Sequence, residues 1–458
     1  MLARLITAGV NVVRLNFSHG TPEEHIARAE IVRRIAVKLN RPIGVLCDLQ
    51  GPKIRIGKFL EGKITLKTGD LFTLDANCPL GDQDQVGLDY KELPSEVEEG
   101  TMLLLDDGRI TMQVDRVQGS KIYCVVLAGG ELSNNKGINK QGGGLSAEAL
   151  TEKDKADIKT AVALAADYVA ISFPREAADV ELARKLVQEA GGTAGIIAKI
   201  ERAEAIDAAE DIILASDAIM VARGDLGVEV GDAAVPGLQK RLIRMAREHH
   251  VPVITATQMM ESMIYNPIPT RAEVSDVANA ILDGTDAVML SAETAAGQYP
   301  LETIQAVHRV AVAAEKEYFT RVDARVRTDT FNKSDESIAM ATIYIAQRLE
   351  VRAIATLTQS GNTAHWLAQT DNMVLIYALS PDRVARRKLT LYRGVFPFPI
   401  DQEGKNRDEI LREMQDILLK EAVVENGDRV ILTFGEPIGH PGGTNTMKIV
   451  TIGQNLKS

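Results

Sequence analysis

Residues 195–202 read Gly-Ile-Ile-Ala-Lys-Ile-Glu-Arg, and residues 217–229 read Asp-Ala-Ile-Met-Val-Ala-Arg-Gly-Asp-Leu-Gly-Val-Glu. Each stretch is a short apolar run that ends in charged residues, with Lys199 and Glu201 in the first and Asp225 in the second. The two carboxylates are about one strand-helix-strand unit apart, so they meet only if the runs are parallel neighbours in one sheet. Carboxylates held about 4 Å apart repel by roughly 4 kcal/mol. The pattern therefore predicts a divalent cation between them, with Lys199 beside it to suit an anionic substrate.

Short apolar runs alternate with amphipathic helices over much of the chain, which is typical of a parallel α/β sheet. Seven strands are predicted, at residues 11–16, 43–48, 167–173, 194–200, 217–221, 252–257 and 285–290. The helices between them are predicted at residues 22–40, 151–166, 235–250, 270–283 and 300–318. This many units predicts a (β/α)8 TIM barrel. The chain opens within a predicted helix, residues 1–8 with Gly9 as its C-cap, so we expect the first barrel strand to lie upstream.

Two further domains are predicted. Residues 51–147 are rich in Gly, Asp and Thr and show period-2 stretches, which indicates an all-β lid domain inserted after the second strand. The barrel therefore comprises residues 1–50 and 148–325, and residues 326–458 form an open α/β domain. Its strands are predicted at residues 353–358, 373–379, 429–434 and 446–453, with helices at 337–349, 362–370, 382–392 and 407–423.

Composition excludes several classes of protein. A chain of 458 residues with 45% hydrophobic and 25% charged residues is long enough for about three globular domains. The net charge of −11 argues against nucleic acid as a bulk partner, and no apolar run is long enough to span a membrane. Three widely spaced cysteines indicate neither a disulfide framework nor a zinc site, so a cytoplasmic location is expected.

Polar side chains follow the end of every predicted barrel strand. In a barrel of parallel strands the carboxyl ends share one face, and that face holds the active site. The sequence therefore predicts one site from these strand ends: Arg14, Asn16, Ser18, His19, Asp48, Ser172, Lys199, Glu201, Arg223, Asp225, Thr257, Gln258, Ser291 and Glu293.

Long motifs in this set resemble those of the pyruvate kinase family, and the resemblance covers almost the full chain. The GxxxxGK[ST] and HRD loops of other phosphoryl-transfer enzymes are absent from the sequence. The motifs are NVVRLNFSHG at residues 11–20, DLQGPKIR at 48–55, MVARGDLGVE at 220–229, ATQMMESM at 256–263 and PTRAEVSDVAN at 269–279.

The resemblance implies transfer of the phosphoryl group of phosphoenolpyruvate to ADP, which gives ATP and pyruvate in the last step of glycolysis. It implies that Glu201 and Asp225 bind Mg2+, which acts as a Lewis acid on substrate oxygens. It places Lys199 on the transferring phosphoryl group as a catalytic residue, and Asp225 also in contact with substrate.

The remaining substrate contacts implied by the resemblance are Ser172 and the backbone around Gly224. Thr257 would lie near the methylene carbon of the enolate, with Ser291 in the associated proton relay. Because a threonine hydroxyl is a poor acid, Thr257 is expected to pass a proton on rather than supply it.

Nucleotide phosphates are expected at Arg14, Asn16 and His19, with Arg14 also catalytic, and at Lys136 from the lid. Lid closure would bring the Lys136 ammonium onto ADP, although the residue also fits a solvated loop position. The segment Asp106-Asp107-Gly108 is expected to form a turn between strands, which family lids bring near the site when closed.

One position separates this chain from many relatives. Family members that need K+ bind it near positions matching Asn16, Ser18 and Asp48, and they carry glutamate where this chain has Lys53. The K+-independent branch has lysine there, so the Lys53 ammonium is expected to replace the monovalent cation. We therefore expect activity without K+.

In the C-terminal domain the segment Thr358-Gln-Ser-Gly-Asn-Thr363 follows a strand and opens a helix, so it can hold a phosphate. The resemblance implies a phosphorylated allosteric effector there, contacted by Thr358, Ser360, Gly361, Asn362 and Thr363, with residues 435–446 as a second loop. Such turns also simply cap helices. The resemblance further implies a homotetramer.

Two other functions remain open at this point. Another Mg2+-enolate barrel, a lyase or aldolase, would explain Glu201 and Asp225 but not the inserted lid. A truncated, inactive metabolite sensor would explain the C-terminal domain but not the complete set of polar strand ends.

Overall fold

The computed structural model describes residues 1–321, 333–370, 374–439 and 442–454. Three predicted features lie outside these ranges: the domain boundary at residues 325 and 326, Met373 at the start of a predicted strand, and His440 in the second effector loop. Among the described residues, no helix is long and apolar enough to cross a membrane.

The first described element is a helix, as predicted. Gly9 ends this helix at φ 132°, a conformation that side-chain-bearing residues rarely adopt. The second helix starts at a capping box, in which the Thr21 hydroxyl accepts a hydrogen bond from the Glu24 backbone and the Glu24 carboxylate accepts one from the Thr21 backbone. The elements of this part are α1 (Leu2–Ala8), β1 (Val12–Asn16), α2 (Pro22–Lys38) and β2 (Gly44–Asp48).

An all-β insertion follows β2. Its strands form one six-stranded sheet in the order β10-β6-β7-β8-β4-β5 and one antiparallel pair, β3 with β9. Their apolar side chains alternate inward and pack into a separate core. The elements are β3 (Lys63–Leu66), β4 (Leu71–Asp75), β5 (Gln85–Gly87), α3 (Leu93–Glu96), β6 (Met102–Leu105), β7 (Ile110–Gln118), β8 (Lys121–Ala128), β9 (Gly130–Ser133) and β10 (Ile138–Lys140).

The chain then returns to the barrel. All seven predicted strands are present and form one curled parallel sheet in the order β1-β2-β11-β12-β13-β14-β15, the arrangement of a TIM-type barrel. Strands β1 and β15 form the two ends of this sheet, and α1 packs against α12. The elements are α4 (Glu152–Ala163), β11 (Tyr168–Ile171), α5 (Ala177–Glu189), β12 (Gly195–Ile200), α6 (Ala203–Asp207), α7 (Ala209–Ala215), β13 (Ala218–Ala222), α8 (Arg223–Val230), α9 (Val235–Glu248), β14 (Val253–Ala256), α10 (Arg271–Asp283), β15 (Ala287–Met289), α11 (Ala292–Ala295) and α12 (Pro300–Arg321).

The C-terminal domain is an open α/β sheet in the order β18-β17-β16-β19-β20, parallel except for β20. Strand β18 was not predicted, because prolines at 397 and 399 argue against a strand, yet they are tolerated at the edge of a sheet. The predicted helix at residues 382–392 is too long, since it ends at Lys388 and a 3-10 turn follows. The elements are α13 (Ser334–Ala346), β16 (Ala353–Leu357), α14 (Asn362–Ala368), β17 (Ile376–Ser380), α15 (Arg383–Lys388), β18 (Val395–Pro399), α16 (Arg407–Lys420), β19 (Arg429–Gly435) and β20 (Thr444–Thr451).

The C-terminal domain covers the N-terminal face of the barrel. Leu391 is 3% exposed and belongs to the apolar cluster inside the barrel. Around it, the Arg387 guanidinium lies 2.8 Å from the Asp167 carboxylate, and the Tyr168 hydroxyl donates to the Lys388 carbonyl at 2.9 Å. The opposite face of the barrel, where the strands end, carries the predicted site residues.

Candidate active site

Lys199, near the end of β12, is surrounded by groups from three neighbouring strand ends. Its ammonium lies 2.9 Å from the Glu201 carboxylate and 3.2 Å from the Asp48 carboxylate, and it donates to the Ser172 hydroxyl at 2.7 Å. Burial alone lowers the pKa of Lys199, but Asp48 and Glu201 outweigh that effect and the net pKa is raised. Lys199 is therefore a fixed positive charge at the C-terminal face of the barrel.

Glu201 is 1% exposed and both of its carboxylate oxygens have partners. One faces Lys199, and the other accepts a hydrogen bond from the Phe173 backbone N–H at 2.9 Å. Burial raises the pKa of Glu201; Lys199 lowers it, the negative charge of Asp225 raises it further, and the net pKa is raised. The strands that precede Glu201 and Asp225, β12 and β13, are parallel neighbours, which is the arrangement that the opening sequence pattern requires.

Asp48 ends β2 and is paired with two cations. Besides Lys199, the Arg14 guanidinium of β1 lies 2.6 Å from its carboxylate, which is 1% exposed. The loop after β1 is ordered locally, since the Asn16 amide oxygen accepts from the Ser18 N–H at 3.1 Å. The next residue, His19, has an exposed side chain and a backbone carbonyl 2.9 Å from Nε2 of the His25 ring.

The Thr257 hydroxyl accepts a hydrogen bond from the Gly224 N–H at 2.9 Å, so two predicted substrate-contacting residues touch each other. Thr257 has φ 70°, which is strained for a β-branched residue and is a feature often stored at functional sites. Arg223 holds this strained turn by donating to the Thr257 carbonyl at 2.6 Å and to both Asp276 oxygens. Sequence reasoning placed Arg223 at the site but missed this role, because Asp276 is on a distant helix.

Ser291 is the N-cap residue directly before α11. Its backbone N–H donates to the Glu293 carboxylate at 2.6 Å, and Glu293 is 3% exposed. Glu293 also accepts from the Met260 N–H at 3.5 Å. This buried carboxylate therefore links the loop that carries Ser291 to the loop that follows Thr257.

The lid meets the barrel beside Asp225. The Lys53 ammonium, on the segment that leads into the lid, lies 3.7 Å from Asp225 and 3.6 Å from Asp107 at the tip of a lid hairpin. The predicted turn at residues 106–108 is confirmed, with positive φ at all three residues between β6 and β7. Lys136, the predicted lid contact of the nucleotide, lies 2.7 Å from the adjacent Asp106.

Gly51 allows the segment that leads from the barrel into the lid to lie close to the site. A Cβ added to this glycine would lie 2.7 Å from the Ser172 Cβ, and its φ is 68°, so only glycine fits. The Gly51 N–H donates at 3.1 Å to Asp154, a fully buried carboxylate that also accepts from Thr151 on the returning segment. The two chain segments that join the lid to the barrel are therefore tied together.

A family described as "Pyruvate kinase, barrel domain" matches residues 1–304, and a second, "Pyruvate kinase, alpha/beta domain", matches residues 336–450.

The chain belongs to the pyruvate kinase family.

Curated pyruvate kinases are similar to this chain over nearly its full length. "Pyruvate kinase II" of Salmonella typhimurium is 53% identical over 98% of this chain and 95% of its own. The "Pyruvate kinase" of Haemophilus influenzae is 53% identical over 95% of this chain and 92% of its own. That of Buchnera aphidicola is 51% identical over 98% and 95%. The chain is accordingly a glycolytic phosphotransferase, and phosphoenolpyruvate and ADP are the substrates of its family, with pyruvate and ATP as products.

A second concave site lies in the C-terminal domain, where the predicted effector loop follows β16. It is an open cavity whose described lining includes Thr358, Ser360, Asn362 and Thr363. The Gly361 N–H donates to the Thr358 hydroxyl at 2.9 Å, and the hydroxyls of Thr363 and Thr444 are 2.7 Å apart. The two predicted loops therefore face the same cavity.

Proposed function

We propose that phosphoryl transfer takes place at the cluster around Lys199, at the C-terminal face of the barrel. The observation that carries this proposal is the position of the Lys199 ammonium, 2.9 Å from Glu201 and 2.7 Å from the Ser172 hydroxyl. A buried, permanently charged ammonium neutralises negative charge as the phosphoryl group leaves its oxygen, and it needs no reorganisation to do so. Ser172 holds Lys199 and contacts the substrate.

Glu201 and Asp225 are the proposed ligands of Mg2+, the cofactor that the family generally uses. No group of three or more His, Cys, Asp or Glu side chains gathers at a metal-sized site among the described residues. Two carboxylates are nevertheless sufficient, because Mg2+ sites commonly use one or two and complete the shell with substrate oxygens and water. The donors fit, since carboxylate oxygens suit Mg2+ and the strands that precede the two residues, β12 and β13, are parallel neighbours. When bound, the ion supplies positive charge to the substrate oxygens.

Thr257 and Ser291 are the proposed residues for the proton step. The Gly224 N–H fixes the Thr257 hydroxyl, and that hydroxyl also donates to the Ala256 carbonyl at 2.6 Å. The position of the hydroxyl is therefore fixed, and its O–H would turn from the Ala256 carbonyl towards the enolate carbon to pass a proton. Gly224 offers a close approach for the substrate, because it has no side chain.

The nucleotide phosphates are proposed to bind Arg14, Asn16 and His19 on the barrel and Lys136 on the lid. The Lys136 side chain is 37% exposed, and its ammonium forms an ion pair with Asp106 at the lid surface. Arg14 is oriented by Asp48. Binding by groups on both sides would hold the lid closed over ADP.

Activity without K+ is also proposed. The expected monovalent-cation positions are Asn16, Ser18 and Asp48, and the Asp48 carboxylate already faces Arg14 and Lys199. A further cation would add little stabilisation, because the Asp48 carboxylate is already paired with two positive charges. Lys53 supplies an additional fixed positive charge next to Asp225.

The cavity that follows β16 is proposed to bind a phosphorylated effector through Thr358, Ser360, Gly361, Asn362 and Thr363. Its described lining carries no charged side chain, so hydroxyl, amide and backbone N–H groups would hold the phosphate. A thermal shift screen with phosphorylated metabolites tests this, because a ligand at 100 times its dissociation constant stabilises by about 2.7 kcal/mol. The absence of any shift would contradict it.

A homotetramer in the cytoplasm completes the proposal. Large apolar side chains are exposed on the C-terminal domain, with Tyr344 at 47% and Ile449 at 45%, and they offer surface for assembly. All three cysteines are free, which suits a reducing compartment.

A coupled assay of ADP-dependent pyruvate formation tests the proposed reaction and site on this chain. We expect pyruvate only when phosphoenolpyruvate, ADP and Mg2+ are all present, and a large loss in Lys199→Met. Pyruvate formation without ADP would favour the lyase interpretation. A complete lack of activity in a folded chain that still binds phosphorylated metabolites would favour a sensor.

A further inference from the structure

The segment of the lid that returns to the barrel lies tightly against α6, which begins two residues after Glu201, and against α8, which carries Asp225. The Gly142 N–H donates to the Glu229 carbonyl at 3.0 Å, and the Gly144 N–H donates to the Glu204 carboxylate. A Cβ on Gly143, between them, would lie 2.5 Å from the Glu204 carboxylate, and the φ of Gly143 is 76°. The glycine run therefore allows a close approach that other residues would prevent.

The Glu229 side chain makes a second set of contacts. Its carboxylate accepts a hydrogen bond from the Ala203 N–H at 2.9 Å, and Glu229 lines the same concave surface as Asn139, on the lid strand β10. Glu229 is 6% exposed, so these contacts are shielded from water. A buried carboxylate with a specific backbone donor has a defined position.

The position of Glu229 connects three parts of the active site. Ala203 lies two residues after Glu201 and begins α6, directly beyond the end of β12. Glu229 is on α8, one helical turn after Asp225 on the same helix. Glu229 thus contacts the segment just after Glu201 through its side chain, lies on the helix that carries Asp225, and contacts the lid through its backbone carbonyl.

We propose that Glu229 is a positioning residue, which sets the separation of the Glu201 and Asp225 carboxylates and couples it to the position of the lid. This inference rests on the proposed metal site. Groups that hold metal ligands in place commonly change metal affinity by about 10- to 100-fold when removed. The reason is that loosened ligands must be ordered again when the ion binds.

The charges around Glu229 indicate which substitutions are informative. Arg202 places a positive charge, and Glu204 a negative charge, near the Glu229 carboxylate. Burial raises the pKa of Glu229 to about 7, with its hydrogen bonds and Arg202 opposing that rise. The neutral acid is therefore tolerated, and glutamine, which keeps an acceptor oxygen at the same reach, is a conservative replacement. Aspartate keeps the charge but is one methylene too short to reach the Ala203 N–H.

The test measures Mn2+ binding to the full chain by electron paramagnetic resonance, together with the KM for ADP and the unfolding temperature. We expect Glu229→Asp to raise the Mn2+ dissociation constant about tenfold and to raise the KM for ADP, and Glu229→Gln to stay within about twofold of the parent. Glu204→Ala removes a lid contact without touching Ala203, so it should raise the KM for ADP and leave Mn2+ binding unchanged. Glu210→Ala, at an exposed carboxylate paired with His249, is the matched control for loss of charge.

The outcomes separate the inference from the proposed metal site. Asp225→Asn should weaken Mn2+ binding strongly; if it binds as the parent does, the metal site and the inference both fail. If Asp225→Asn weakens binding while folded Glu229→Asp binds like the parent, only the inference fails. A Glu229→Asp chain that melts earlier with unchanged Mn2+ affinity would also overturn it, since that result describes a purely structural residue.

Discussion

The Lys53 ammonium lies 3.7 Å from the Asp225 carboxylate and 3.6 Å from that of Asp107. Asp225 belongs to the barrel and Asp107 to a hairpin of the lid, so one positive charge joins two negative charges across the active-site cleft. With the lid in this position, Lys53 replaces repulsion between the two carboxylates by attraction to a shared cation.

The first prediction concerns monovalent cations. In K+-free buffer with a bulky organic cation, we expect the parent to be active, with less than about a twofold rise on adding KCl, because Lys53 supplies a fixed charge. Without K+, Lys53→Glu should lower the rate about tenfold, which corresponds to a rise of about 1.4 kcal/mol in the activation free energy. Adding KCl should restore part of that rate. Lys58→Glu makes the same charge change at an exposed lid lysine and should behave like the parent. A many-fold activation of the parent by KCl would contradict the prediction.

The second prediction concerns Lys199. Lys199→Met removes the ammonium and leaves a side chain of similar length, so we expect kcat to fall by about 10²- to 10³-fold. The coupled assay measures this, with circular dichroism to show that the chain is folded. Lys185→Met, at a lysine whose side chain is 70% exposed, is the control and should retain full activity. A Lys199→Met chain with a rate near that of the parent would remove Lys199 from the mechanism.

The third prediction concerns the ion pair between Arg223 and Asp276. Lysine cannot reproduce the fork that contacts both Asp276 oxygens and the Thr257 carbonyl. We expect Arg223→Lys to lower the free energy of unfolding by about 2–4 kcal/mol, measured in urea, and to lower kcat because the strained turn at Thr257 relaxes. A double-mutant cycle with Asp276→Asn should give a coupling energy of at least about 1 kcal/mol. Additive effects would show that the pair acts independently.

The fourth prediction concerns the stability of the folded chain at low pH. Burial lowers the pKa of His365 to about 4. The unfolded chain therefore binds the proton more tightly than the folded chain, so stability is complete above about pH 6.5 and falls as the pH drops towards 4. Between pH 7.5 and pH 5 this single group should cost about 2 kcal/mol. His365→Gln should show a flatter profile in urea unfolding at the two pH values, and equal slopes for both proteins would contradict the assignment.

The strands of the barrel and their polar ends were predictable because both signals are local. An apolar run such as residues 195–200 specifies a buried strand, and the following Glu201 marks where it ends. The rule that parallel strands share a face then brings Glu201, Asp225 and Lys199 together without further information.

The interactions that stabilise the site were not predictable in the same way. Arg223 meets Asp276, and Glu229 meets Ala203, across separations that no local pattern encodes. Likewise, β18 carries a composition that argues against a strand, and its place at a sheet edge makes the prolines acceptable. These partners follow from the three-dimensional arrangement, which local sequence patterns do not reveal.

Leu391 and the ionic contacts around it also bear on how such an enzyme is inherited. Because a side chain of the C-terminal domain completes the interior of the barrel, the two domains are not interchangeable modules. A recombination event that joined this barrel to a foreign partner would leave an unfilled apolar opening beside Asp167 and Tyr168. We therefore expect changes on either side of Leu391 to be compensated on the other.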